Sequence, residues 1–371
     1  MVPARAQAVV QPRSSWVGSV RFTEIDVPGY ERVEKAEDDA TGLVAFIAVH
    51  DTTLGPALGG MRLWPYESED AAVTDVLRLS RGMTFKSAIA QTGLGGGKSV
   101  ILARREDKSP ALLEAMGRFV ERFDGTYITA EDVNVGVEDL RAVRRSTRYV
   151  CGLSREEGGG GDPGPYTAYG CFLGLREAVR AATGNSSLEG RTVALQGAGS
   201  VGFALGRRLA DAGARLVVAD VNESNVERAV TQLGATQTAP DEIYDTDCDV
   251  FAPCALGGVL NGDTIPRLRC LVVAGAANNQ LLDEERDPER LRERGILYAP
   301  DYVVNAGGIV NVGCELLPGG YDETVVLERL ERIAEALREI FATATARALT
   351  TQQAAQQVAD KALARGRPTP A

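Results

Sequence analysis

The apolar positions between Glu69 and Gln91 recur at steps of four and three residues, which predicts an amphipathic helix. One face is formed by Ala72, Val76, Leu79, Met83 and Lys86. An ammonium group at the end of an apolar stripe either meets an anion or extends into solvent, and partial burial would lower its pKa. Lys86 is therefore a candidate anion-binding residue, with a surface lysine as the alternative.

Glycine-rich segments flank this helix. Residues 95–97 are all glycine and are followed by Lys98 and by the apolar run 100–102, which places Lys98 where a loop enters a strand. Upstream, the sequence GPALGG at 55–60 predicts a turn that presents backbone N–H groups to an anion. The whole stretch predicts a carboxylate site with a second, activatable amine beside it. Taken alone, the GGGK sequence is also compatible with a loose loop and a surface lysine.

Two carboxylates follow another predicted strand. The run 43–50 predicts a buried strand, 111–123 a helix, and 127–129 a strand that leads to Glu131 and Asp132. Enzymes with α/β folds keep polar chemistry at the ends of strands, although an acidic pair can also cap a helix.

The stretch from Thr192 to Asp220 has the order of a dinucleotide-binding unit. The predicted strand 192–196 leads into G-x-G-x-x-G, a helix, a second strand over 215–219 and then the acid Asp220. The motif glycines are Gly197, Gly199 and Gly202. A pyrophosphate would rest on the helix N-terminus, and Asp220 would accept hydrogen bonds from the adenosine ribose. An acid repels a 2′-phosphate, so the sequence favours NAD over NADP.

The remaining pattern predicts a second α/β domain. The runs 249–251 and 271–274 each end in a loop of small residues, as later strands of one parallel sheet do. Five glycines and two prolines within 156–165 predict a linker between domains. Further helices are predicted over 167–182 and 324–341, with a shorter one after Thr351.

Composition excludes several classes of function. The chain has 371 residues, a net charge of −11 and no basic run, which argues against nucleic acid or an anionic membrane as a partner. Six cysteines without a CxxC pair and a single histidine, His50, suggest neither a metal site nor a disulfide framework. His50 is interpreted as a structural residue. Residues 1–19 lack the apolar centre of a signal peptide, so we predict a disordered extension on a cytoplasmic protein.

Several segments together resemble one enzyme family. GPALGGMR, RLSRGMTFK, GGGKSVI and ITAEDV resemble the glutamate/leucine/phenylalanine/valine dehydrogenase superfamily, and its leucine-type branch most, from about Val44 to about Glu315. The resemblance implies an α/β substrate domain over 20–155 and a Rossmann-type, doubly wound NAD-binding domain over 156–344. It places the active site in the cleft between them and packs the C-terminal helix, about 345–371, back on the first domain. It also implies a homo-oligomer.

The reaction implied by the resemblance is the reversible oxidative deamination of an L-amino acid to a 2-oxo acid and ammonia. Lys86, with N–H groups near Gly59 and Gly60, would hold the α-carboxylate. Lys98 would activate the water that attacks the imino acid, and Asp132 would exchange a proton with the substrate nitrogen. Closure of the cleft would exclude water from the hydride step.

The resemblance also assigns the residues around the cofactor and the substrate. Those around NAD would be Thr167, Gly197, Gly199, Ser200, Val201, Gly202, Asp220, Ala255, Asn278 and Asn305. Asn278 would also touch the substrate. The side chain of the substrate would contact Leu58, Ala130, Ile309 and Val312. All four are apolar, so a charged substrate would lose hydration without gaining a partner. Leucine, valine or isoleucine is favoured. Asn134, Met61 and the HDTTLGP segment resemble relatives that act on aromatic amino acids, so phenylalanine or tryptophan is the alternative.

Two other functions remain as rivals. A dehydrogenase of hydroxy acids would need a histidine or similar base near the carbinol, and His50 is not placed for that role. A catalytically inactive NAD-binding protein is the other, and the presence of Lys86, Lys98 and Asp132 argues against it.

Overall fold

The computed structural model describes residues 14–17 and 20–366, which form two compact α/β units. The first unit contains Gly95–Cys151 and the described residues up to Thr84. The second contains Phe85–Leu94 and the described residues from Gly152 onward. The end of the first helix is thus grouped with the second unit, a detail that the linear pattern does not indicate.

The first unit is built on a mixed sheet. Its strands are β1 (Ser14–Val17), β2 (Val20–Glu24), β3 (Arg32–Asp38), β4 (Leu43–Asp51), β5 (Ala57–Trp64), β6 (Gly95–Leu102) and β7 (Tyr127–Glu131). Their order is β1-β2-β3-β4-β6-β5-β7, and β5 runs parallel to both β6 and β7. The three parallel strands bring together the segments that the sequence singled out: GPALGG, GGGK and ITAED.

Strand β1 differs from the expectation for the N-terminus. Ser14–Val17 pairs antiparallel with β2, so the predicted disordered extension over 1–19 is wrong for these residues. The backbone gains ladder hydrogen bonds there that the composition alone does not indicate. Residues 1–13, 18 and 19 lie outside the described part of the chain.

The described part of the first unit also has three helices: α1 (Glu69–Ile89), whose end from Phe85 is grouped with the second unit, α2 (Pro110–Glu121) and α3 (Val137–Arg144). In α1 the buried face begins with Ala72 and Val76, as predicted. It continues through the hydroxyl residues Ser80 and Thr84. Helix α1 lies very close to β6 at this point, since a Cβ at Gly96 would lie 2.1 Å from the backbone nitrogen of Thr84.

The second unit is a doubly wound α/β fold. Its strands are β8 (Thr192–Gln196), β9 (Arg215–Ala219), β10 (Thr236–Gln237), β11 (Val250–Pro253), β12 (Val272–Val273) and β13 (Leu297–Tyr298). All pair in parallel, in the order β10-β9-β8-β11-β12-β13. In such sheets a ligand binds beyond the carboxyl ends of the strands where the order reverses, which here is between β8 and β11. The predicted Rossmann-type topology is confirmed.

Helices cover the second sheet. They are α4 (Gly164–Thr183), α5 (Ser200–Asp211), α6 (Glu223–Leu233), α7 (Asp287–Glu293), α8 (Asp301–Val304), α9 (Gly307–Gly313), α10 (Glu323–Arg347) and α11 (Thr351–Gly366). The terminal helix α11 buries Ala354, Ala355 and Ala359 and packs with α10. It is grouped with the second unit, whereas the resemblance assigned it to the first domain. Small side chains on α11 permit its close approach to α10. Within the described residues, no helix is both long and apolar enough to cross a membrane.

The predicted glycine linker is anchored to the second unit. The backbone N–H groups of Gly152 and Gly160 donate to the Glu315 carboxylate at 3.1 and 2.8 Å. Arg155 forms an ion pair with Glu323 at 2.7 Å. A Cβ at Gly160 would lie 2.7 Å from the Asn311 amide nitrogen. The glycines therefore permit close packing at this segment as well as a change of chain direction.

Candidate active site

Lys98 and Asp132 form an ion pair inside the first unit. Lys98 lies within β6 and is only 4% exposed, and its Nζ donates to Oδ2 of Asp132 directly after β7. The backbone N–H of Val133 donates to the other oxygen, Oδ1, at 2.6 Å. A buried ammonium is tolerated only with such a partner. The structure thus brings together two of the three residues to which the resemblance assigned catalytic roles.

The glycines beside this pair lie in strands, whereas the sequence predicts a turn and a loop there. Gly59 and Gly60 belong to β5, where they pair with β7, and do not form a turn. The triplet 95–97 already belongs to β6. Gly59 carries no Cβ because one would lie 1.7 Å from the carbonyl oxygen of Gly97. Glycine is needed at these positions for the close approach of neighbouring backbones.

Gly60 makes room for the Asp132 carboxylate. A Cβ at Gly60 would lie 2.4 Å from the carbonyl oxygen of Glu131 and 2.9 Å from Cβ of Asp132. Any larger residue would displace the turn that follows β7. The packing therefore explains why β5 carries a glycine directly beside Asp132.

Tyr127 lies where the pairing of β5 with β6 is interrupted, beside Gly59 and Gly60. The sequence does not identify this role. The buried hydroxyl of Tyr127 donates to the Gly59 carbonyl at 2.6 Å and lies 3.0 Å from Oγ of Ser99. The pairing of β5 with β6 passes from Leu58 to Met61 without including the two glycines. Burial raises the pKa of Tyr127 to about 12, so the hydroxyl keeps its proton and acts as a donor. A tyrosine in a strand-like run carries no sequence signal for this role.

Lys86 occupies the last turn of α1 and is partly exposed. Desolvation of the ammonium by the surrounding protein lowers the pKa of Lys86 to about 8, and the charge of Asp301 acts in the opposite direction. Asp301 begins α8 and was not identified from the sequence. Its carboxylate accepts the N–H groups of Gln280 at 2.9 Å and of Tyr302 at 2.6 Å. Burial raises the pKa of Asp301, and those N–H groups and Lys86 oppose that change.

A pH dependence of ligand binding follows for Lys86. If its ammonium holds a carboxylate, affinity should be full below pH 8 and should fall as Lys86 loses its proton above that pH. A bound carboxylate raises the lysine pKa, so the dissociation constant should rise by about tenfold per pH unit until that higher pKa is reached. The measurement is calorimetric titration, between pH 7 and 9.5 and with NADH present, of the 2-oxo acid derived from leucine. Lys86→Arg is the control, because a guanidinium does not titrate in this range. A constant affinity in the parent protein would contradict the assignment.

His50 makes structural contacts. Its Nδ1 lies 2.9 Å from Oγ1 of Thr84, and its ring packs edge-on against Tyr30 at 4.9 Å. Burial lowers the pKa of His50, with smaller opposing effects from neighbouring carboxylates. These contacts agree with the interpretation of His50 as a structural residue.

The glycine turn of the second unit fits a dinucleotide. Gly197 has a φ of +93°. A Cβ at Gly202 would lie 2.1 Å from the carbonyl oxygen of Gly197. Gly199 precedes α5, its Cβ position faces open space, and no side chain caps the helix. The helix therefore begins at Ser200 and Val201 with backbone N–H groups available for a phosphate. The turn and the helix N-terminus form the cradle that NAD would require.

Asp220 has a second role beyond the predicted one. Its Oδ2 accepts the N–H of Ala198 at 2.7 Å, and its Oδ1 accepts that of Asn222 at 2.8 Å. Arg228 of α6 donates to the carbonyl of Ala198 at 2.8 Å. The acid at the end of β9 thus holds the glycine turn in place. Arg228 is a further contact of this turn, and the motif does not indicate it.

The loops after β11 and β12 meet at the carboxyl edge of the sheet. A Cβ at Gly197 would lie 2.9 Å from Cβ of Ala255, so the glycine turn and the first loop are adjacent. Asn305 is 5% exposed and donates to Oδ1 of Asn278 at 2.7 Å. Within the described part of the chain, the buried Oδ1 of Asn305 has no hydrogen-bond donor. A carboxamide such as that of nicotinamide would supply the missing donor.

Thr167 lies in the first turn of α4 and donates to the carbonyl of Pro163 at 3.0 Å. A Cβ at Gly308 would lie 2.9 Å from the hydroxyl oxygen of Thr167. One turn earlier, a Cβ at Gly164 would lie 3.3 Å from Oγ of Ser200. The helix N-termini of α4 and α5 are therefore close together, and a joint contact of Thr167 and Ser200 with NAD stays a prediction.

The predicted substrate-pocket residues form two pairs. Leu58 and Ala130 lie on the neighbouring strands β5 and β7 and are 2% and 7% exposed. Ile309 and Val312 lie on successive turns of α9 in the second unit and are 8% and 6% exposed. Each pair is apolar and nearly buried within its own unit. Their joint contribution to one pocket stays a prediction.

Comparison with known proteins agrees with this geometry. Residues 29–149 match the Glu/Leu/Phe/Val dehydrogenase, dimerisation domain, and residues 219–367 match the Glutamate/Leucine/Phenylalanine/Valine dehydrogenase domain. Leucine dehydrogenase from Thermoactinomyces intermedius is 48% identical over 92% of both chains. L-tryptophan dehydrogenase from Nostoc punctiforme is 45% identical over 91% of this chain and 95% of its own length. The crystal structure of L-tryptophan dehydrogenase from Nostoc punctiforme superposes with a TM-score of 0.81, at 43% identity over 91% of this chain and 97% of that one. The chain therefore belongs to the Glu/Leu/Phe/Val dehydrogenase family and is an NAD-dependent amino-acid dehydrogenase.

Proposed function

We propose that the protein catalyses the reversible oxidative deamination of leucine, valine and isoleucine to the 2-oxo acid and ammonia, with Lys98 and Asp132 as its acid–base pair. The observation that carries the assignment of roles is the buried Lys98–Asp132 ion pair in the first unit. An ammonium with so little exposure has a function beyond solubility. NAD, when bound, would supply the acceptor for the hydride that leaves the α-carbon.

Lys98 and Asp132 divide the proton transfers between them. Once the imino acid has formed, Lys98 in its neutral form removes a proton from the attacking water, and the resulting carbinolamine then loses ammonia. Asp132 exchanges protons with the substrate nitrogen through Oδ2, the oxygen that faces Lys98. Placing base and acid in contact lets one proton pass between them without bulk solvent.

Lys86 is proposed to hold the α-carboxylate. Lys86 lies in the last turn of α1, and its pKa of about 8 keeps it charged at neutral pH. Backbone groups of Gly59 and Gly60, where the β5–β6 pairing is interrupted, would complete the carboxylate site.

The substrate side chain is proposed to contact Leu58, Ala130, Ile309 and Val312. All are apolar and nearly buried, so glutamate would lose the hydration of its side-chain carboxylate without gaining a partner. Aliphatic chains fit such surroundings. One methylene in a hydrophobic pocket is worth about 1–3 kcal/mol, so discrimination among leucine, valine and isoleucine should be modest.

A panel of amino acids tests the substrate class. The parent protein should reduce NAD with leucine, valine and isoleucine, and kcat/KM should be lower for phenylalanine and tryptophan and lowest for glutamate. Ile309→Ala should shift the ranking towards phenylalanine, by about tenfold in the ratio of kcat/KM values, because it removes about three carbon atoms from the pocket. Val230→Ala, on an exposed position of α6, is the control and should leave the ranking unchanged. A parent that prefers an aromatic substrate would contradict the aliphatic assignment, and an unchanged ranking in Ile309→Ala would remove that residue from the pocket.

We also propose that the chain assembles into a homo-oligomer. The match of residues 29–149 to a dimerisation domain supports this assembly. Sedimentation of the purified protein gives the number of subunits directly, and a monomer at micromolar concentration would contradict the proposal.

A further inference from the structure

The two oxygens of Asp132 have different partners. Oδ2 accepts from Lys98, whereas Oδ1 accepts the backbone N–H of Val133 at 2.6 Å and lies 3.4 Å from Nε of Arg62. The side chain of Asp132 is 16% exposed. One oxygen is thus held by fixed donors, and the other faces the proposed proton path.

Arg62 is itself held on its other side. Its Nη1 contacts Oδ2 of Asp75 on α1 at 2.9 Å, and the hydroxyl of Tyr66 donates to the same oxygen at 2.6 Å. Burial raises the pKa of Tyr66 well above its usual range, and the nearby Asp75 carboxylate acts in the same direction, so the hydroxyl remains a donor. The side chains of Arg62 and Asp75 are 23% and 27% exposed.

The geometry suits the positioning of a carboxylate. A guanidinium is planar, always charged and presents several donors in a rigid fork, so it can bridge two carboxylates at once. Catalytic hydrogen bonds are often long in unliganded structures and shorten when substrate binds, which accommodates the 3.4 Å separation. A displacement of about 1 Å in a catalytic group can cost about a hundredfold in rate.

We propose that Arg62 is a positioning residue for Asp132, holding Oδ1 so that Oδ2 is the oxygen that exchanges a proton, with Asp75 holding Arg62 in turn. The inference rests on the proposed function of Asp132. An ion pair that served only the fold would affect stability and leave turnover of the folded enzyme intact. A positioning residue instead affects kcat and leaves ground-state binding intact.

The test compares three variants of the full chain. Arg62→Met should lower kcat for leucine by about ten- to a hundredfold, while KM for leucine and the Kd for NADH change less than about threefold. Arg62→Lys should recover part of kcat, because it keeps the charge but not the fork. Asp75→Asn should lower kcat less than Arg62→Met. The matched control is Arg145→Met, which removes an arginine that pairs with Glu114 at 2.9 Å on the surface of the same unit. Its kcat should equal that of the parent.

A double variant separates this inference from the proposed function. If Arg62 acts through Asp132, then Arg62→Met should add little to the loss caused by Asp132→Asn. Full additivity, or an Arg62→Met variant with the parent kcat while Asp132→Asn is impaired, would overturn the role of Arg62 and leave the proposed function standing. An Asp132→Asn variant with undiminished turnover would overturn the role proposed for Asp132 itself. Thermal unfolding of each variant shows which are folded. Should Arg62→Met fail to fold, Arg62→Lys and Asp75→Asn carry the same comparison.

Discussion

Replacing Lys98 by alanine is expected to lower kcat for leucine deamination by about 10²- to 10⁴-fold, the usual contribution of a positioned general base. The ammonium lies inside the first unit, in contact with Asp132, so no solvent-exposed group takes its place there. Affinity for NADH, measured by fluorescence titration, should change little, because the glycine turn and Asp220 belong to the second unit. Stopped-flow and steady-state absorbance of NADH give the rates.

Chemical rescue sharpens the Lys98 experiment. A small primary amine added to Lys98→Ala should restore part of the turnover, since it can occupy the space left by the side chain and supply the missing base. Lys361→Ala is the control, because that lysine pairs with Glu339 at 2.7 Å on the surface, and it should behave as the parent. Retention of more than about a tenth of kcat in Lys98→Ala would show that another group activates the water.

Replacing Asp220 is expected to have the second largest effect, on the cofactor. Asp220→Ala should raise the Kd for NADH by about ten- to a hundredfold, because hydrogen bonds to a charged group contribute about 1.5–3 kcal/mol each. The variant loses the hydrogen bonds proposed between Asp220 and the ribose. It also loses the hydrogen bond from the Ala198 N–H, which holds the glycine turn. Preference for NAD over NADP should narrow in the same variant, because a charge that repels the 2′-phosphate is removed.

Two further substitutions separate the effects at Asp220. Asp220→Asn keeps a hydrogen-bond acceptor and removes the charge. This variant should no longer discriminate against NADP, and its affinity for NADH should fall less than that of Asp220→Ala. Asp211→Ala, at the exposed end of α5, is the control and should bind both cofactors as the parent does. Equal use of NAD and NADP by the parent protein would show that Asp220 does not select the cofactor.

Periodic burial made much of the fold predictable. The strands 192–196 and 215–219 have the predicted bounds, and α1 and α10 begin within one residue of the predicted starts. Local apolar spacing determines these elements because each has one face against a core. The ends are less well determined: α10 continues to Arg347, beyond the predicted end at 341, since its last turns bury Ala344.

Several glycines have a different structural role from the one that the sequence predicts. The sequence predicts a turn at GPALGG and a loop at 95–97, yet Gly59, Gly60 and the triplet 95–97 lie in β5 and β6. A residue without a Cβ is equally suited to a turn and to close packing, and the sequence does not distinguish these uses. Only the positions of Thr84 and Gly97 against these strands show that close packing is the reason.

The sequence by itself determined the dinucleotide-binding order of elements and the chemical types of Lys86, Lys98 and Asp132, because these depend on residue identity and short spacing. The tertiary structure alone decided their partners. Arg62 reaches Asp132 across 70 positions of the chain, and the buried Asp301 acts on Lys86 from a different helix. Such contacts arise where strands and helices that are distant in the chain pack together, and they leave no periodic signal in the residues themselves.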